Sequence, residues 1–283
     1  MPRTQTGTVV GISKSALGAT GPMIIQTVPD HLEALMQNPI ELYYWPTPNG
    51  WKVSIALEEM GLPYTLHPVN IGAGAQFAPE FLAISPNNRM PAIVDPAGPD
   101  GAPISVFESG AILQYLGRKT GQFYGGSERE RVEIDQWVHW QMGGLGPMAG
   151  QANHFRNYAK AMVEDEKLLE YGATRYTNEV NRLLGVMNKR LADREYLAGA
   201  YSIADMMSWP WVILAGNVGQ NLDDFPALNA WRNRVGERPA AQKGFALGAE
   251  LRQNAPALGS KEAEDARKIL FGQTAASNSE NKG

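Results

Sequence analysis

The sequence predicts two folded units in one chain, an α+β unit followed by an all-helical one. Three observations carry this expectation. Strand-like apolar runs alternate with amphipathic stretches from Ile40 to Arg118. Every periodic segment after Glu128 has helical spacing. A glycine-containing linker, Thr120 to Ser127, lies between them. Hydrophobic residues make up 43% and aromatics 9% of the 283 residues, enough to pack two cores.

In chain order, residues 1–38 are rich in Thr, Gly and Pro and read as an extension, with at most a helical turn or two over His31 to Gln37. Ile40 to Trp45 predicts a strand. Trp51 to Met60 predicts a helix, with Val53, Ala56, Leu57 and Met60 on one face, ended by Gly61. Tyr64 to Val69 predicts a second strand, parallel to the first across the helical crossover. A short helix at Pro79 to Ile84 follows, then a strand at Ala92 to Asp95. Asp100-Gly101 predicts a hairpin into Ile104 to Phe107. Ser109 is read as the cap of a helix reaching Arg118. The order β-α-β-α-β-β-α is that of a thioredoxin-like domain, placed at 39–119.

The helical domain is placed at 128–251. Val132 to Met142 predicts a helix that Gly143 to Gly150 interrupts or kinks. Val180, Leu183, Leu184, Met187 and Leu191 mark another. Ser202-Ile203-Ala204-Asp205 reads as a capping box opening a buried helix with Trp209 and Trp211. Ala227 to Glu237 predicts a helix closed by Pro239. Residues 252–283 read as a tail in which Lys261 to Phe271 can dock as a helix, with Thr274 to Gly283 disordered.

Composition removes several function classes. Net charge is −4, without the basic footprint of a nucleic-acid binder. The chain has no cysteine, which excludes disulfides, thiolate metal sites and C-x-x-C redox chemistry within the protein. No His, Asp and Glu grouping has metal-ligand spacing, so no metal is expected. No apolar run is long enough to span a membrane, and the N-terminus lacks a secretory apolar core. A cytoplasmic location is the expectation.

The chemistry-bearing candidates start at Thr47-Pro48-Asn49-Gly50, between a strand and a helix N-terminus, where free backbone N–H groups favour anions. This turn carries a hydroxyl and an amide where a thiol enzyme would carry its cysteine. Turn chemistry alone also accounts for Asn49-Gly50. Glu108-Ser109 sits at another helix N-terminus, suited to a carboxylate and an ammonium group; capping alone would equally use Ser109. Met90-Pro91 precedes a strand, and its spacing is compatible with a cis or a trans bond.

Taken together, Thr47-Pro48-Asn49-Gly50, Asn87-Asn88-Arg89-Met90-Pro91-Ala92-Ile93, Phe107-Glu108-Ser109-Gly110-Ala111-Ile112 and Ser202-Ile203-Ala204-Asp205 occur in an order and spacing that resemble a glutathione S-transferase over residues 40–250. The Thr-Pro-Asn-Gly turn is similar to that of the bacterial Nu class. The resemblance implies glutathione as cosubstrate, with Thr47 and Asn49 stabilising its thiolate and lowering a thiol pKa of about 8.5. It implies a cis Met90-Pro91 whose backbone pairs with the cysteinyl unit. Glu108 and Ser109 would take the γ-glutamyl end. Gln76 and Arg89, with Lys52 as a weaker third, would take the glycyl carboxylate. Tyr43 or Tyr44 is a competing thiolate partner, since tyrosine on this strand serves other transferase classes. Arg175 matches an arginine that reaches the site, from a partner subunit in a homodimer. Trp140, His154, Phe155 and Tyr158 are candidate walls of the second-substrate pocket.

The implied activity is glutathione-dependent disulfide reduction, with two glutathione molecules or one glutathione disulfide in an open cleft. The alternatives are conjugation to, or thioether cleavage of, an aromatic substrate, and a non-catalytic regulator or interaction module that keeps the fold.

Overall fold

The computed structural model describes residues 38–253 and 260–274. The expected N-terminal extension, including the turn over His31 to Gln37, therefore lies outside the described residues apart from Asn38. So do residues 275–283 of the tail.

A four-stranded sheet of order β2-β1-β3-β4 organises the first unit. Strand β1 (Ile40–Tyr44) alternates strictly: Ile40, Leu42 and Tyr44 are buried on one face, while Glu41 and Tyr43 are half-buried on the other. It runs parallel to β2 (Tyr64–Pro68), with Leu42 opposite Leu66. Helix α1 (Pro48–Glu59) supplies the crossover. A short helix α2 (Pro79–Leu82) precedes β3 (Ala92–Asp95), which pairs antiparallel with both β1 and β4 (Ile104–Phe107). The hairpin turn uses Asp100 and Gly101 at φ 59° and 74°. Helix α3 (Ser109–Thr120) then packs beside α1, burying Ile112, Leu113 and Leu116.

Two expectations change here. Thr47-Pro48-Asn49-Gly50 is not a separate turn. Thr47 is the N-cap of α1, Pro48 occupies its first position, and Asn49 and Gly50 are already helical. Gly50 is required by packing: a Cβ there would lie 2.2 Å from the Trp45 carbonyl oxygen. Likewise the N-cap of α3 is Glu108, and Ser109 is its first helical residue.

The second unit opens with α4 (Glu128–Trp140), held by a reciprocal Ser127–Glu130 capping box. The glycines at 143–150 do not interrupt it. The chain passes through a π-turn at Gln141–Leu145 into α5 (Gly146–Asn153), then through a second π-turn at His154–Tyr158. Helix α6 (Glu166–Arg190) follows, with Val180, Leu183, Leu184 and Met187 buried at the expected spacing. Helix α7 (Ile203–Val212) starts at the predicted Ser202–Asp205 capping box. Its fully buried Asp205 also accepts from Leu197 N (3.1 Å) and Trp231 Nε1 (2.8 Å). Burial pushes this carboxyl up to about 6 against those donors.

Helix α8 (Pro226–Gly236) ends before Pro239 as expected, but Pro239 also starts a further helix. It opens α9 (Pro239–Ala246), because proline fits the first turn of a helix. Helix α9 locks the two units together. Gly244 lies against α1 so closely that a Cβ would meet the Ile55 backbone at 2.6 Å. Ser54 Oγ donates to the Gly244 carbonyl at 2.7 Å, and Trp51 meets Phe245 edge-on at 4.7 Å. After α10 (Ala249–Gln253), the tail supplies α11 (Lys261–Phe271), capped by Ser260.

Candidate active site

A cleft of about 850 Å³ runs between the sheet unit and the helical unit. Its floor on the sheet side is the start of α1, and the physical reason is local. Strand β1 ends at Tyr44, and the chain must turn before Thr47 can cap a helix, so the first turn of α1 points its free N–H groups outward. Thr47, Asn49 and Lys52 line this floor. Thr47 Oγ1 accepts from Gly50 N (3.4 Å) and lies 3.7 Å from Met90 Sδ.

Met90 lines the cleft beside Thr47, and the Met90–Pro91 bond is cis. Glu108 also lines the cleft. It holds φ 68°, a left-handed conformation uncommon for a residue with a Cβ and concentrated at functional sites. Its carboxylate accepts from Asn87 Nδ2 at 3.3 Å. Gln76 is buried at the cleft wall, with Nε2 anchored on the Ile71 carbonyl (3.2 Å) and Oε1 unpartnered among the described residues. Arg89 lines the mouth, where Nη1 donates to Gln273 Oε1 at 2.6 Å.

Other predicted residues lie elsewhere. Ser109 is buried beneath the cleft surface, its Oγ 3.2 Å from Lys52 Nζ and 3.4 Å from Met142 Sδ. Tyr44 is in the core and donates to the Leu247 carbonyl at 3.0 Å. Tyr43 stacks on His67 on the opposite sheet face, and burial with nearby Glu41 raises its pKa. Neither tyrosine borders the cleft, so the competing thiolate assignment has no geometric support. Trp140 does not line it either: its ring packs edge-on against Trp137 at 5.2 Å. Arg175 lies on α6, more than half exposed and 3.9 Å from Glu179, and does not line the cleft.

His154 and Tyr158 do line the cleft, but Phe155 turns away to stack on Tyr176. They meet a residue the sequence did not single out. Phe271, from α11, lies 4.7 Å from the His154 ring and 5.3 Å from Tyr158. Burial pushes the His154 pKa down, which favours a neutral imidazole in this aromatic wall. The tail is thus part of the site.

Lys52 is more prominent than its sequence position suggested. It is 1% exposed, and Nζ donates to Gln141 Oε1 at 2.7 Å and to Ser109 Oγ at 3.2 Å. Burial lowers its pKa to about 7, opposed by the Glu108 carboxylate. A lysine in the second turn of an amphipathic helix reads as solvated. The signal that could have flagged it is its place between Trp51 and Val53, both of which are core.

The chain matches two family models, glutathione S-transferase N-terminal domain over residues 38–118 and glutathione S-transferase C-terminal domain over 161–239. It is 49% identical over 203 residues to the disulfide-bond oxidoreductase YfcG of Escherichia coli, covering 71% of this chain and 92% of that protein. It is 37% identical over 239 residues to the Escherichia coli disulfide-bond oxidoreductase YghU, covering 80% and 78%. A Burkholderia graminis glutathione transferase solved with two glutathione molecules per subunit superposes with TM-score 0.69 at 44% identity, covering 74% of this chain and 88% of that one. A Pseudomonas putida glutathione transferase solved with one glutathione disulfide per subunit does so with TM-score 0.69 at 43% identity, covering 74% and 92%. A sheet unit with a cis-proline loop, a helical unit across a shared cleft and relatives that match over most of their own length lead to one assignment: the chain belongs to the glutathione S-transferase family.

Proposed function

We propose that this protein is a glutathione-dependent disulfide reductase that activates a thiol it does not itself possess. The observation that carries the reading is the first turn of α1: Thr47 and Asn49 open onto the cleft at a helix N-terminus, beside Met90, in a chain without cysteine. The relatives named as disulfide-bond oxidoreductases, and those solved with glutathione or its disulfide, support the same chemistry.

In this mechanism bound glutathione lies along the Met90–Pro91 loop, its γ-glutamyl end toward Glu108 and the base of α3, its glycyl end toward Gln76 and Arg89. The helix N-terminus and the Thr47 and Asn49 donors favour the thiolate. Each pKa unit of lowering needs about 1.4 kcal/mol of preference for the charged form, within reach of one or two charge-assisted hydrogen bonds. The thiolate sulfur attacks one sulfur of the substrate disulfide. A new S–S bond forms, the old one breaks, and the departing thiolate takes up a proton. A second glutathione resolves the mixed disulfide to glutathione disulfide and the second thiol. We further assign the protein to the cytoplasm and to a homodimer in which the exposed Arg175 serves the partner's cleft. Among the described residues no helix is long and apolar enough to cross a membrane.

The test is steady-state reduction of a small disulfide at saturating glutathione. The expected result is turnover by the wild type and a fall of about 10- to 100-fold in kcat/KM for Thr47→Ala and Asn49→Ala. No turnover by the wild type, or full activity in both variants, overturns the assignment. The aromatic wall of His154, Tyr158 and Phe271 favours a second reading, thioether cleavage or conjugation of an aromatic substrate. Faster turnover of an aromatic thioether or chlorinated arene than of any disulfide would select it. Absence of glutathione binding by calorimetry would instead favour a non-catalytic module.

A further inference from the structure

Lys52 borders the cleft from beneath and is 1% exposed, yet among the described residues no carboxylate pairs with it. Its Nζ donates to Gln141 Oε1 (2.7 Å) and Ser109 Oγ (3.2 Å) and lies 3.7 Å from Met142 Sδ, all neutral groups. The more exposed Lys119, Lys243 and Lys268 each hold a carboxylate at 2.6–2.7 Å. Burying an ammonium without a counterion is costly, so this amine sheds its proton or meets an anion. The place for an anion is next to it. Ser109 is the first residue of α3, and α3 starts without a side-chain cap. Glu108, at the cap position, accepts instead from Asn87 Nδ2. The first-turn N–H groups of this 12-residue helix therefore have no side-chain acceptor, and its positive end stands beside the buried amine. Burial holds the Lys52 pKa down to about 7, and the Glu108 carboxylate opposes the fall. Glu108 is the charged neighbour, on α3; Ser109 beside it, and Gln141 and Met142 from the π-turn, are neutral. His154 lines the same cleft, but burial pushes its pKa further below neutrality.

We propose that Lys52 is the positioning cation of the glutathione site, and that it takes up a proton when the γ-glutamyl carboxylate arrives at the start of α3. The proposal rests on the reading of the cleft as a glutathione site and adds a proton linkage to it. A carboxylate at the end of α3 strengthens the hold of the neighbouring amine on its proton. By reciprocity, the protonated amine holds the carboxylate more tightly. Lys52 acts through Ser109 and the start of α3 and does not itself touch the peptide. Above pH 7 the complex therefore carries more protons than the free protein and ligand.

The probe is S-methylglutathione, which keeps the γ-glutamyl group and has no thiol to ionise. Calorimetry of the full chain in buffers of different ionisation enthalpy reads the protons exchanged on binding. The wild type should take up about half a proton or more per site at pH 8 and much less at pH 6, and its Kd should rise about tenfold from pH 7 to pH 8.5. Lys52→Met should bind without uptake and with a nearly constant Kd over that range. No uptake by the wild type overturns the proposal, as does the same uptake in Lys52→Met. If Lys52→Met does not fold, Glu108→Gln decides. Loss of the acid charge lets the Lys52 pKa fall further and should move the onset of uptake to lower pH; an unchanged onset overturns the proposal. Reduction of a small disulfide by glutathione is assayed in parallel. Uptake without reduction keeps the linkage and rejects the reductase reading. Reduction without uptake keeps the reductase reading and rejects the linkage. Absence of S-methylglutathione binding overturns both.

Discussion

Thr47 carries two roles that a mutation separates. As N-cap it satisfies an α1 backbone donor, and its hydroxyl lines the cleft where the proposed mechanism places the sulfur. Thr47→Ala should cost about 1 kcal/mol of stability by loss of the cap, whereas Asn49→Ala should leave the melting temperature nearly unchanged, since Asn49 is not the cap. Thermal denaturation of both variants beside their kinetics checks this. Lys52 makes a prediction of its own. Its folded pKa of about 7 lies well below that of an ordinary lysine, so the unfolded chain binds more protons between about pH 7 and 10. Stability contributed through Lys52 therefore rises with pH across that window, by at most about 1.4 kcal/mol per unit, and is at its lowest below pH 7. Urea unfolding against pH should show the slope in the wild type and a flatter curve in Lys52→Met. An identical slope in both would place the titration elsewhere.

At the scale of elements, caps and close approaches carry the architecture. Asp205 holds the start of α7, the Leu197 loop and the Trp231 indole at once. Asp205→Ala strands these buried donors and should cost about 3 kcal/mol or more, against about 1 kcal/mol for Ser202→Ala. Denaturant melts of the two variants test the ranking. This capping box was legible because its residue types sit at a fixed spacing. The strands were legible because β1 alternates and β3 is a short apolar run. The helix running through residues 141–158 was not. Gly143, Gly144 and Gly150 lower helix propensity, but packing against α6 and α7 overrides it and the chain absorbs the misfit as π-turns. Pro239 marked the end of α8 correctly, but that it also opens α9 was not foreseen: proline fits the first turn of a helix, and the close packing of Gly244 against α1 is a tertiary contact.

On the scale of the whole molecule, the tail reaches back across the chain to complete the cleft. None of the residues of α11 is buried, so this helix adds wall more than core. Deleting residues 261–283 should leave the melting temperature within a few degrees of the full chain while raising KM for an apolar or aromatic second substrate several-fold. The effect on KM for glutathione should be smaller. A large fall in melting temperature would mean that α11 is structural instead. The aromatic wall shows the same division of information. His154 and Tyr158 were expected as walls from the family resemblance, but Phe271 lies more than a hundred residues away in sequence and no local pattern pairs them.

By itself, the sequence determined the two-unit architecture, the order of strands, the capping boxes and the need for a borrowed thiol, because periodicity, caps and the absence of cysteine are local or compositional properties. Tertiary structure alone decided which of the candidates share a cleft. It put Thr47, Asn49, Gln76, Arg89, Met90 and Glu108 around one space, withdrew Ser109 beneath it, and set Trp140 and Arg175 apart. It also drew Lys52, Gln141 and Trp211 into the lining of the same cleft. The physical reason is that a side chain's chemistry depends on its burial and on what faces it. Lys52 titrates near neutrality because it is buried, with Gln141 and Met142 of the helical unit packed over its Nζ.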